Sequence, residues 1–569
     1  MEYLWKSHPE PSQSEITALS SAINVNPYIA RLLVQREIKT FEEAKHYFRP
    51  QLKDLHDPFL MKGMKEAVNR LAEAISGQQK IMIYGDYDVD GTTSVSLVFG
   101  FLMKFHNDFL LKYIPDRYNE GYGVSDLGVQ HAIDEEVGLV ITLDCGIKAV
   151  TQAQNLRKAG IDVIICDHHL PGDTLPNAIV LDPKQKDCSY PFKELCGVGV
   201  GFKLLQGFCE QNSIDLNELY PYLDLVAVGT CSDLVPIIDE NRILTYYGLE
   251  RLNKNPRPGI KALIDVAGFE SELNVTNVVF TIGPRINAAG RISHAIGAVD
   301  LLLENDFAEA KEKALQIDSF NQERRTFDAD ITKEALEMIK SSEESKQANS
   351  TVLYKEDWHK GVIGIVASRC IEHFYRPTII LTKSNGKVCG SCRSVLDFDV
   401  HEAINECSDL LEQFGGHKYA AGLTMEEKNV PAFQQKFEEV VTARITKEIL
   451  TATIDLEFEL PFERIDMKFL GLLDQMQPFG PENMTPVFMT HHVEDAGYSK
   501  RVGSDGSHLK LDLIQNGYKA SGIAFGKGDL IDDIKSGHPF SVCYTIEKNV
   551  FNGKTSVQLM VKDIKMPDH

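Results

Sequence analysis

Short apolar runs and longer segments of helical spacing alternate between residues 64 and 166. The short runs have the length of buried strands, and the segments between them repeat apolar residues every three to four positions, as amphipathic helices do. The pattern predicts helices at 64–75, 92–105, 125–135 and 148–159, and strands at 81–84, 109–114, 139–143 and 163–166. Such alternation is typical of a parallel sheet covered by helices, and therefore of an α/β domain.

Acidic residues and histidines follow the apolar runs where the predicted strands end. They are Asp86, Asp88 and Asp90 after the first run, Asp144 after VITL, Asp167, His168 and His169 after DVIIC, and Asp233 after YLDLVAVGTCS. We expect the last of these segments to supply a strand end as well. Because the carboxyl ends of parallel strands meet at one edge of a sheet, these side chains are expected to converge.

Close carboxylates repel one another unless a cation neutralises them, so the convergence predicts a divalent metal site. An EF-hand calcium loop is disfavoured, because the twelfth position from Asp86 is Leu97, where such a loop needs glutamate. Oxygen ligands with one or two imidazoles suit Mn²⁺ or Mg²⁺ better than zinc or copper. Five or more acids fit two ions about 3.5–4 Å apart, which indicates hydrolysis of a phosphate ester. For Asp167 alone, capping a helix or orienting a neighbour is the alternative.

The pattern changes further along the chain. Residues 298–360 contain neither glycine nor proline and are mostly helical in composition, which predicts a long connecting helix. Residues 350–445 alternate strand and helix again, as a smaller α/β domain does. From residue 451 the apolar positions alternate with a period of two in five or six short stretches, beginning with IDLEFEL, and predict a small β-barrel of the OB type. The residues before about 55 form amphipathic segments of helical spacing.

Composition limits the partners and the compartment. The chain has 569 residues, 43% hydrophobic and 25% charged, which is typical of a globular protein of several domains. It has no signal peptide pattern and no apolar run long enough for a bilayer, and its 11 cysteines are scattered, so we expect a cytoplasmic protein with free thiols and no membrane partner. The net charge of −23 argues against general coating of nucleic acid but leaves room for a local basic channel.

Eight short motifs in a fixed order carry a family resemblance. The first four are DYDVDG at 86–91, LDCGI at 143–147, DHH at 167–169 and SD at 232–233; the later four are GPRINAAGR at 283–291, WHKGVIGIVASR at 358–369, GSCRS at 390–394 and GGHKYAAG at 415–422. The first four resemble the DHH phosphoesterase superfamily. Together with the later ones they resemble the superfamily's 5′→3′ exonucleases specific for single-stranded DNA, from about residue 50 to the C-terminus.

The resemblance implies roles for the acidic and histidine residues. It implies that the metal ligands are Asp88, Asp90, Asp144, His168 and Asp233, with Asp144 bridging two Mn²⁺ or Mg²⁺ ions. Asp86 is either a further ligand or a neighbour of the ligands. His169 is implied to face the substrate phosphate. His417 is implied to reach the scissile region, where Gly415 and Gly416 let the backbone approach closely.

Basic residues of the later motifs suit the phosphates of a nucleic acid. Arg393 offers a fork of donors beside the Ser391 hydroxyl, which fits a terminal 5′-phosphate, and Arg117 could join it. Arg285, Asn287 and Arg291 offer donors to phosphates or bases, with structural ion pairing as the alternative for the two arginines. In the predicted barrel, basic and aromatic residues that suit a single strand are Lys500, Arg501, Lys510, Lys519 and Lys527, beside Tyr498, Tyr518 and Phe525.

The resemblance also implies a division of the chain and an activity. We expect an N-terminal helical segment (1–55), a DHH catalytic domain (56–300), the connecting helix (301–349), a DHH-associated substrate-binding domain (350–447) and an OB-fold single-strand-binding domain (448–569). The implied activity is two-metal 5′→3′ degradation of single-stranded DNA to 5′-mononucleotides in repair and recombination, by a monomer that works with a helicase and a single-strand-binding protein. One alternative is a phosphodiesterase for short oligonucleotides or cyclic dinucleotides, and another is a non-catalytic scaffold of the same fold.

Overall fold

The computed structural model describes residues 3–551 and 553–567. Contacts divide the chain into two compact units that interrupt each other in sequence. The first unit comprises Arg49–Thr326 and Pro478–Met484, and the second comprises the described parts of Met1–Phe48, Phe327–Gln477 and Thr485–His569. Among the described residues, no helix has both the length and the apolar character needed to cross a membrane.

A five-stranded parallel sheet forms the centre of the first unit. Its strands stand in the order Leu110–Tyr113, Ile81–Gly85, Leu139–Leu143, Asp162–Cys166 and Ile179–Leu181. The central strands are buried along their whole length, which explains why they are continuous apolar runs. The register sets Gly85, Leu143 and Cys166 side by side at one edge, so the residues that follow them are neighbours, as the sequence pattern predicted.

Helices cover both faces of this sheet and enclose two clusters of buried apolar residues. Their bounds are Met64–Ser76, Val89–His106, Asp126–Asp134, Val150–Lys158, Gly197–Gln211, Leu223–Ser232, Asp239–Lys254, Pro258–Val266, Gly283–Ile292 and Ile296–Leu303. A π-helical turn, Val278–Ile282, leads directly into helix Gly283–Ile292. The parallel-sheet α/β fold expected from the sequence is confirmed.

The prediction of a strand before Asp233 is wrong, because residues Leu223–Ser232 form an α-helix. All of them except Ser232 are buried, so the segment is apolar around its whole circumference. A buried helix and a buried strand are both continuous apolar runs, and periodicity does not separate them. Asp233 therefore lies at the C-terminus of a helix instead of at a strand end.

The connecting helix, Phe307–Lys340, has 34 residues. It confirms the long helix that was expected because residues 298–360 contain neither glycine nor proline. Its first part contributes Ala310, Ala314 and Ile317 to the core of the first unit. From Phe327 onwards it belongs to the second unit, where Ile331 and Ala335 pack in another apolar cluster.

The middle of the second unit is a mixed five-stranded sheet. Its strands stand in the order Gln413–His417, Ala420–Met425, Lys387–Arg393, Thr378–Ser384 and Thr351–Tyr354. The helices of this part are Ile363–His373, Val400–Asn405 and Val430–Arg444. Buried residues of its last two helices pack with the sheet, so this part has an apolar core of its own.

A β-barrel follows in the second unit. Its strands are Phe488–Asp495, Lys500–Val502, His508–Gln515, Tyr518–Ala524, Phe540–Phe551 and Lys554–Lys565. The first of these pairs with both the third and the fifth, and the fourth pairs in parallel with the last, so five strands close on themselves. This closure confirms the predicted OB fold.

The N-terminal segment contains helices Gln13–Ile23, Pro27–Gln35 and Phe41–Phe48, but it opens with a strand that the sequence did not predict. Strand Tyr3–Ser7 pairs in parallel with Ala452–Leu456. The expectation that IDLEFEL supplies the first barrel strand is confirmed only in part. Its first half lies in the strand that pairs with the N-terminus, whereas Glu459 in its second half forms a parallel bridge with Met489 of the barrel strand Phe488–Asp495. A partner so distant in sequence leaves no trace in a local pattern.

Candidate active site

The register of the parallel sheet brings acidic residues together at its carboxyl edge. Asp86, Asp144 and Asp167 each follow the last residue of one of three adjacent strands, and all three are buried. Asp144 has a φ of 60°, a left-handed backbone that is uncommon for residues other than glycine. Buried carboxylates on a strained turn are typical of a functional site.

The acidic turn after the first strand is held by backbone groups. Asp88 caps helix Val89–His106, its Oδ1 accepting from the Gly91 N–H at 2.9 Å. Asp90 accepts from the N–H groups of Gly197 at 2.5 Å and Val198 at 2.8 Å, at the start of helix Gly197–Gln211. Both carboxylates are thus oriented before any ligand binds.

Three groups of side chains bring potential ligand atoms within 4.8 Å of one another. They are Asp86, Asp88 and Asp144; Asp90, His168 and Asp233; and Asp144, His168 and His169. The Nε2 atom of His168 lies 3.1 Å from Asp144 Oδ1, 3.6 Å from Asp233 Oδ2 and 4.0 Å from Asp90 Oδ2. The groups share Asp144 and His168, so they form one continuous cluster.

The electrostatics of this cluster call for a cation. Burial and the neighbouring carboxylates raise the pKa values of Asp86, Asp144 and Asp233 well above their ordinary value. The same causes raise the pKa of Asp90 to about 7. Asp86 Oδ1 and Asp233 Oδ2 are buried and have no hydrogen-bond partner. A set of oxygens with one imidazole therefore fits a hard divalent ion such as Mn²⁺ or Mg²⁺.

The pKa values of the two neighbouring histidines are shifted in opposite directions. Burial lowers the pKa of His168 to about 3, which leaves it a neutral imidazole. His169 is half-buried, and burial lowers its pKa. The hydrogen bond between its Nδ1 and Asp167 Oδ1 at 2.7 Å, together with the charges of Asp167, Asp90 and Asp88, outweighs burial and raises the pKa.

Asp167 holds the turn that carries both histidines. Its carboxylate accepts hydrogen bonds from the backbone N–H groups of Ile147, His168 and His169 as well as from the His169 ring. Burial by itself raises its pKa, but these hydrogen bonds and the charge of His169 lower it to about 2. With its oxygens taken by donors, Asp167 orients its neighbours, which is the alternative that the sequence left open.

Two residues of this edge were missed from the sequence. The Tyr122 hydroxyl lies 3.1 Å from His169 Nε2, and its loop is formed by Gly121 and Gly123, both with positive φ. Asp182 follows the fifth strand of the sheet, is fully buried with Oδ2 unpaired, and has a pKa raised to about 7 by burial. The signals were a GYG triplet and one more acid at the end of an apolar run.

Helix Gly283–Ile292 packs close to the acidic loops. A Cβ at Gly283 would lie 3.0 Å from the Ser232 hydroxyl, and one at Gly290 would lie 3.0 Å from the Tyr87 carbonyl, between Asp86 and Asp88. The sequence-predicted Arg285, Asn287 and Arg291 are on this helix and half-buried. Arg285 donates to Asp318 Oδ1 at 2.8 Å, so the ion pair is the state that the structure shows.

Arg117 stacks over the Tyr87 ring at 4.5 Å, beside the acidic turn.

Four predicted substrate residues of the second unit share one face of its sheet: Ser391, Arg393, Gly415 and His417. On the middle strand, Ala420 pairs with Arg393 on one side and with His417 on the other. In the same way, Gly422 pairs with Ser391 and with Gly415. Residues in register point to the same face, while Cys392 between them points into the core. The Arg393 guanidinium lies 3.2 Å from the Ser391 hydroxyl. Gly416, with φ of 143°, turns the backbone before His417.

Comparison with known proteins decides the family. Three family descriptions match in order: the DHH family N-terminal domain at residues 80–230, the DHHA1 domain at 347–443 and the RecJ OB domain at 456–563. The single-stranded-DNA-specific exonuclease RecJ of Bacillus subtilis (strain 168) is 38% identical over 97% of this chain and 70% of its own length.

The chain belongs to the RecJ family. The RecJ of Escherichia coli (strain K12) is 32% identical over 95% of this chain and 96% of its own. The crystal structure of RecJ in complex with Mn²⁺ from Thermus thermophilus covers 99% of this chain and 80% of its own, with a TM-score of 0.85 and 29% identity. The RecJ likeness thus extends over the whole chain, including the N-terminal segment that lies outside the three matched domains.

Proposed function

We propose that this RecJ-family protein is a metal-dependent exonuclease that degrades single-stranded DNA. The observation that carries the proposal is the buried cluster in which the His168 Nε2 atom faces the carboxylates of Asp90, Asp144 and Asp233. Without a cation such a cluster would be strongly unfavourable. Membership of the RecJ family supports DNA as the substrate.

We propose Asp88, Asp90, Asp144, His168 and Asp233 as metal ligands, with Asp86 beside them. Asp144 belongs to two of the ligand groups, which supports a site for two ions, Mn²⁺ or Mg²⁺, that Asp144 would help to hold in common. Bound at this edge, such ions supply Lewis acidity and an activated water for displacement at phosphorus. Asp88 and Asp90 are pre-oriented by backbone N–H groups, which lowers the cost of assembling the site.

The remaining residues would bind and orient the strand. Asp167 holds the His169 ring through a hydrogen bond, and we propose that this ring faces the scissile phosphate, with Tyr122 next to it. In the second unit, Arg393 and Ser391 would hold the terminal 5′-phosphate. In the first unit, Arg117 would donate to a phosphate of the strand. The DNA backbone beyond the terminal phosphate would lie along Gly415, Gly416 and His417. Phosphates or bases would be bound by Arg285, Asn287 and Arg291.

Binding of the terminal phosphate implies the direction and the product. An enzyme that anchors the 5′-phosphate and cleaves the next ester releases 5′-mononucleotides and proceeds 5′→3′. The barrel would bind the part of the DNA strand that follows the cleavage site. Tyr498 of the barrel is 77% exposed, and Lys500 lies opposite Lys510. We propose the following domains: the N-terminal helical segment (1–55), the DHH catalytic domain (56–300), the connecting helix (301–349), the substrate-binding domain (350–447) and the single-strand-binding domain (448–569).

We further propose a role in repair and recombination, as a monomer working with a helicase and a single-strand-binding protein. All 11 cysteines are buried free thiols, which suits a reducing cytoplasm.

The test is digestion of single-stranded DNA labelled at its 3′ end or its 5′ end, with Mn²⁺, Mg²⁺ or EDTA. We expect the 3′-labelled strand to shorten stepwise, the 5′ label to leave at once as a mononucleotide, and EDTA to stop both. Asp144→Ala should be inactive, whereas the matched control Asp173→Ala, at an exposed acid, should retain full activity.

Two results would contradict the proposal. Cleavage of di- to pentanucleotides with long strands left intact would replace it by the short-oligonucleotide phosphodiesterase. No cleavage of either substrate by the wild type would favour a binding scaffold.

A further inference from the structure

We infer that Leu234 and Phe280 form an apolar contact for the nucleobase beside the scissile phosphate, an inference that rests on the proposed exonuclease function. Leu234 directly follows the site carboxylate Asp233, and its side chain is 68% exposed. Its φ is 61°, in the left-handed region, where a Cβ crowds the neighbouring carbonyl. Glycine or asparagine adopts this backbone more easily. Neither solvation nor backbone geometry therefore accounts for a leucine at this position.

Phe280 is placed beside the same part of the site. It lies in the π-helical turn Val278–Ile282 and is 75% exposed. Turns of this kind are rare and occur frequently at functional sites. The turn continues into Gly283, which packs against Ser232, the residue before Asp233. Phe280 is thus about one turn away from the contact that fixes this end of the acidic cluster.

A nucleotide is the ligand whose chemistry matches this arrangement. Its phosphate would be held at the acidic cluster by cations and donors, while its base offers a flat apolar face within one nucleotide of that phosphate. In a duplex both faces of a base are covered by its neighbours, whereas an unpaired base can be splayed onto an apolar side chain. The contact would therefore favour single strands through the exposed base faces, independently of the width of any groove.

The test combines protein variants with substrates that lack a base. Steady-state kinetics would be measured with a 5′-phosphorylated single-stranded oligonucleotide, and with the same strand carrying abasic residues at its first two positions. The variants are Leu234→Asn, Phe280→Ser and the double variant. Met103→Asn is the matched control, since Met103 is 39% exposed and lies about 20 Å from Asp90 along the same helix.

We expect each site variant to raise KM for the intact strand about fivefold or more, with a smaller change in kcat. Abasic residues should raise the KM of the wild type and of Met103→Asn by a similar factor but leave the KM of the double variant unchanged. The thermal midpoint of Leu234→Asn without DNA should not fall, because asparagine suits the left-handed backbone. A leucine with a purely structural role would lower that midpoint and leave the abasic effect intact.

Failure of the inference is distinct from failure of the proposed function. If the wild type degrades the intact strand and the double variant still responds to the abasic positions as the wild type does, only the base contact is overturned. If the wild type degrades no DNA, the proposed function falls and the base contact falls with it.

Discussion

His168 and His169 are adjacent residues whose pKa values are shifted in opposite directions. The first is neutral because it is buried, and its Nε2 atom faces three carboxylates. The second carries a raised pKa because Asp167 accepts from its Nδ1 atom. A neutral imidazole can bind a cation, whereas a protonated one repels it and attracts phosphate. Burial of His168 and the hydrogen bond of His169 to Asp167 would thus separate the ligand role and the phosphate role that we propose for the two rings.

Replacing Asp144 with asparagine should uncouple stability from activity. The change removes one of several repelling buried carboxylates, so in EDTA we expect the thermal midpoint to rise by about 2–4 °C for each 1 kcal/mol of repulsion relieved. Cleavage should fall to background, and Mn²⁺, which should raise the midpoint of the wild type, should no longer do so. Thermal unfolding with and without Mn²⁺ measures both effects. A lower midpoint of the variant in EDTA would show that the carboxylates do not repel one another in the folded protein.

A methyl group at Gly364 should disturb the proposed phosphate site of the second unit. A Cβ there would lie 2.8 Å from Ser391 Oγ and 2.9 Å from Arg393 Nη2, so Gly364→Ala must displace both donors. Loss of charge-assisted hydrogen bonds should raise KM for 5′-phosphorylated strands about tenfold. Strands with a 5′-hydroxyl should be unaffected. Gly471→Ala, in a helix with nothing within 4 Å of the new methyl group, is the control, and an equal effect on both substrates would contradict the prediction.

Between elements, one buried ion pair joins two helices of the first unit. Lys203 of helix Gly197–Gln211 donates to Glu240 Oε1 of helix Asp239–Lys254 at 3.0 Å, and both side chains are inaccessible to solvent. Glu240 also accepts from the Tyr190 hydroxyl and the His56 N–H, and Lys203 donates to the His56 carbonyl. Every charge of this pair is therefore compensated. The first N–H groups of helix Gly197–Gln211 donate to Asp90. The ion pair therefore helps to fix the helix that orients this carboxylate.

Removing the lysine alone should be costly. Lys203→Met leaves a buried carboxylate without its cation, for which we expect a loss of about 3–5 kcal/mol in the free energy of unfolding. Adding Glu240→Gln should recover part of this loss, because the neutral amide needs no cation. The exposed pair Lys254–Glu250 on the second helix is the control, and Lys254→Met should leave the free energy of unfolding nearly unchanged, because solvent screens an exposed pair. Urea unfolding followed by fluorescence checks all three variants, and equal losses for Lys203→Met and Lys254→Met would refute the argument.

For single helices and strands, the sequence predicted the structure wherever the pattern of apolar residues lies within the element itself. The parallel strands, the connecting helix and the barrel follow from periodicity because each buries a regular face. The strand before Asp233 was wrong because Leu223–Ser232 is apolar on all sides. At the site, Asp86, Asp144 and His168 were predictable because register aligns the ends of parallel strands. Tyr122 was not, since its position depends on how a loop with two left-handed glycines folds back onto His169.

In the whole molecule, the start of the chain is bound to segments near its end. Trp5 Nε1 donates to Asp563 Oδ2 at 3.0 Å, and the Lys565 ammonium lies 4.8 Å from the Trp5 ring. Lys527 pairs with the same carboxylate and lies over the Tyr3 ring. The strand Tyr3–Ser7 is therefore part of the second unit in contacts as well as in pairing.

Trp5→Ala should destabilise the second unit by about 1–3 kcal/mol, because a hydrogen bond to a carboxylate and a cation–π contact are lost together. Trp5→Phe keeps a ring for Lys565 and should lose about half as much. Leu4→Ala, at an exposed side chain of the same strand, is the control. Limited proteolysis and thermal unfolding measure the effect, and a Trp5→Ala variant as stable as Leu4→Ala would contradict the role of these contacts.

The pairing of Tyr3–Ser7 with Ala452–Leu456 also has a consequence for synthesis on the ribosome. The partner strand emerges about 450 residues after the first, which at 5–20 residues per second is a delay of about 20–90 seconds. During that interval the strand has both of its backbone edges unpaired and open to other nascent chains. Slower elongation would prolong that exposure, so the yield of native enzyme should depend on translation speed more strongly than its final stability would suggest.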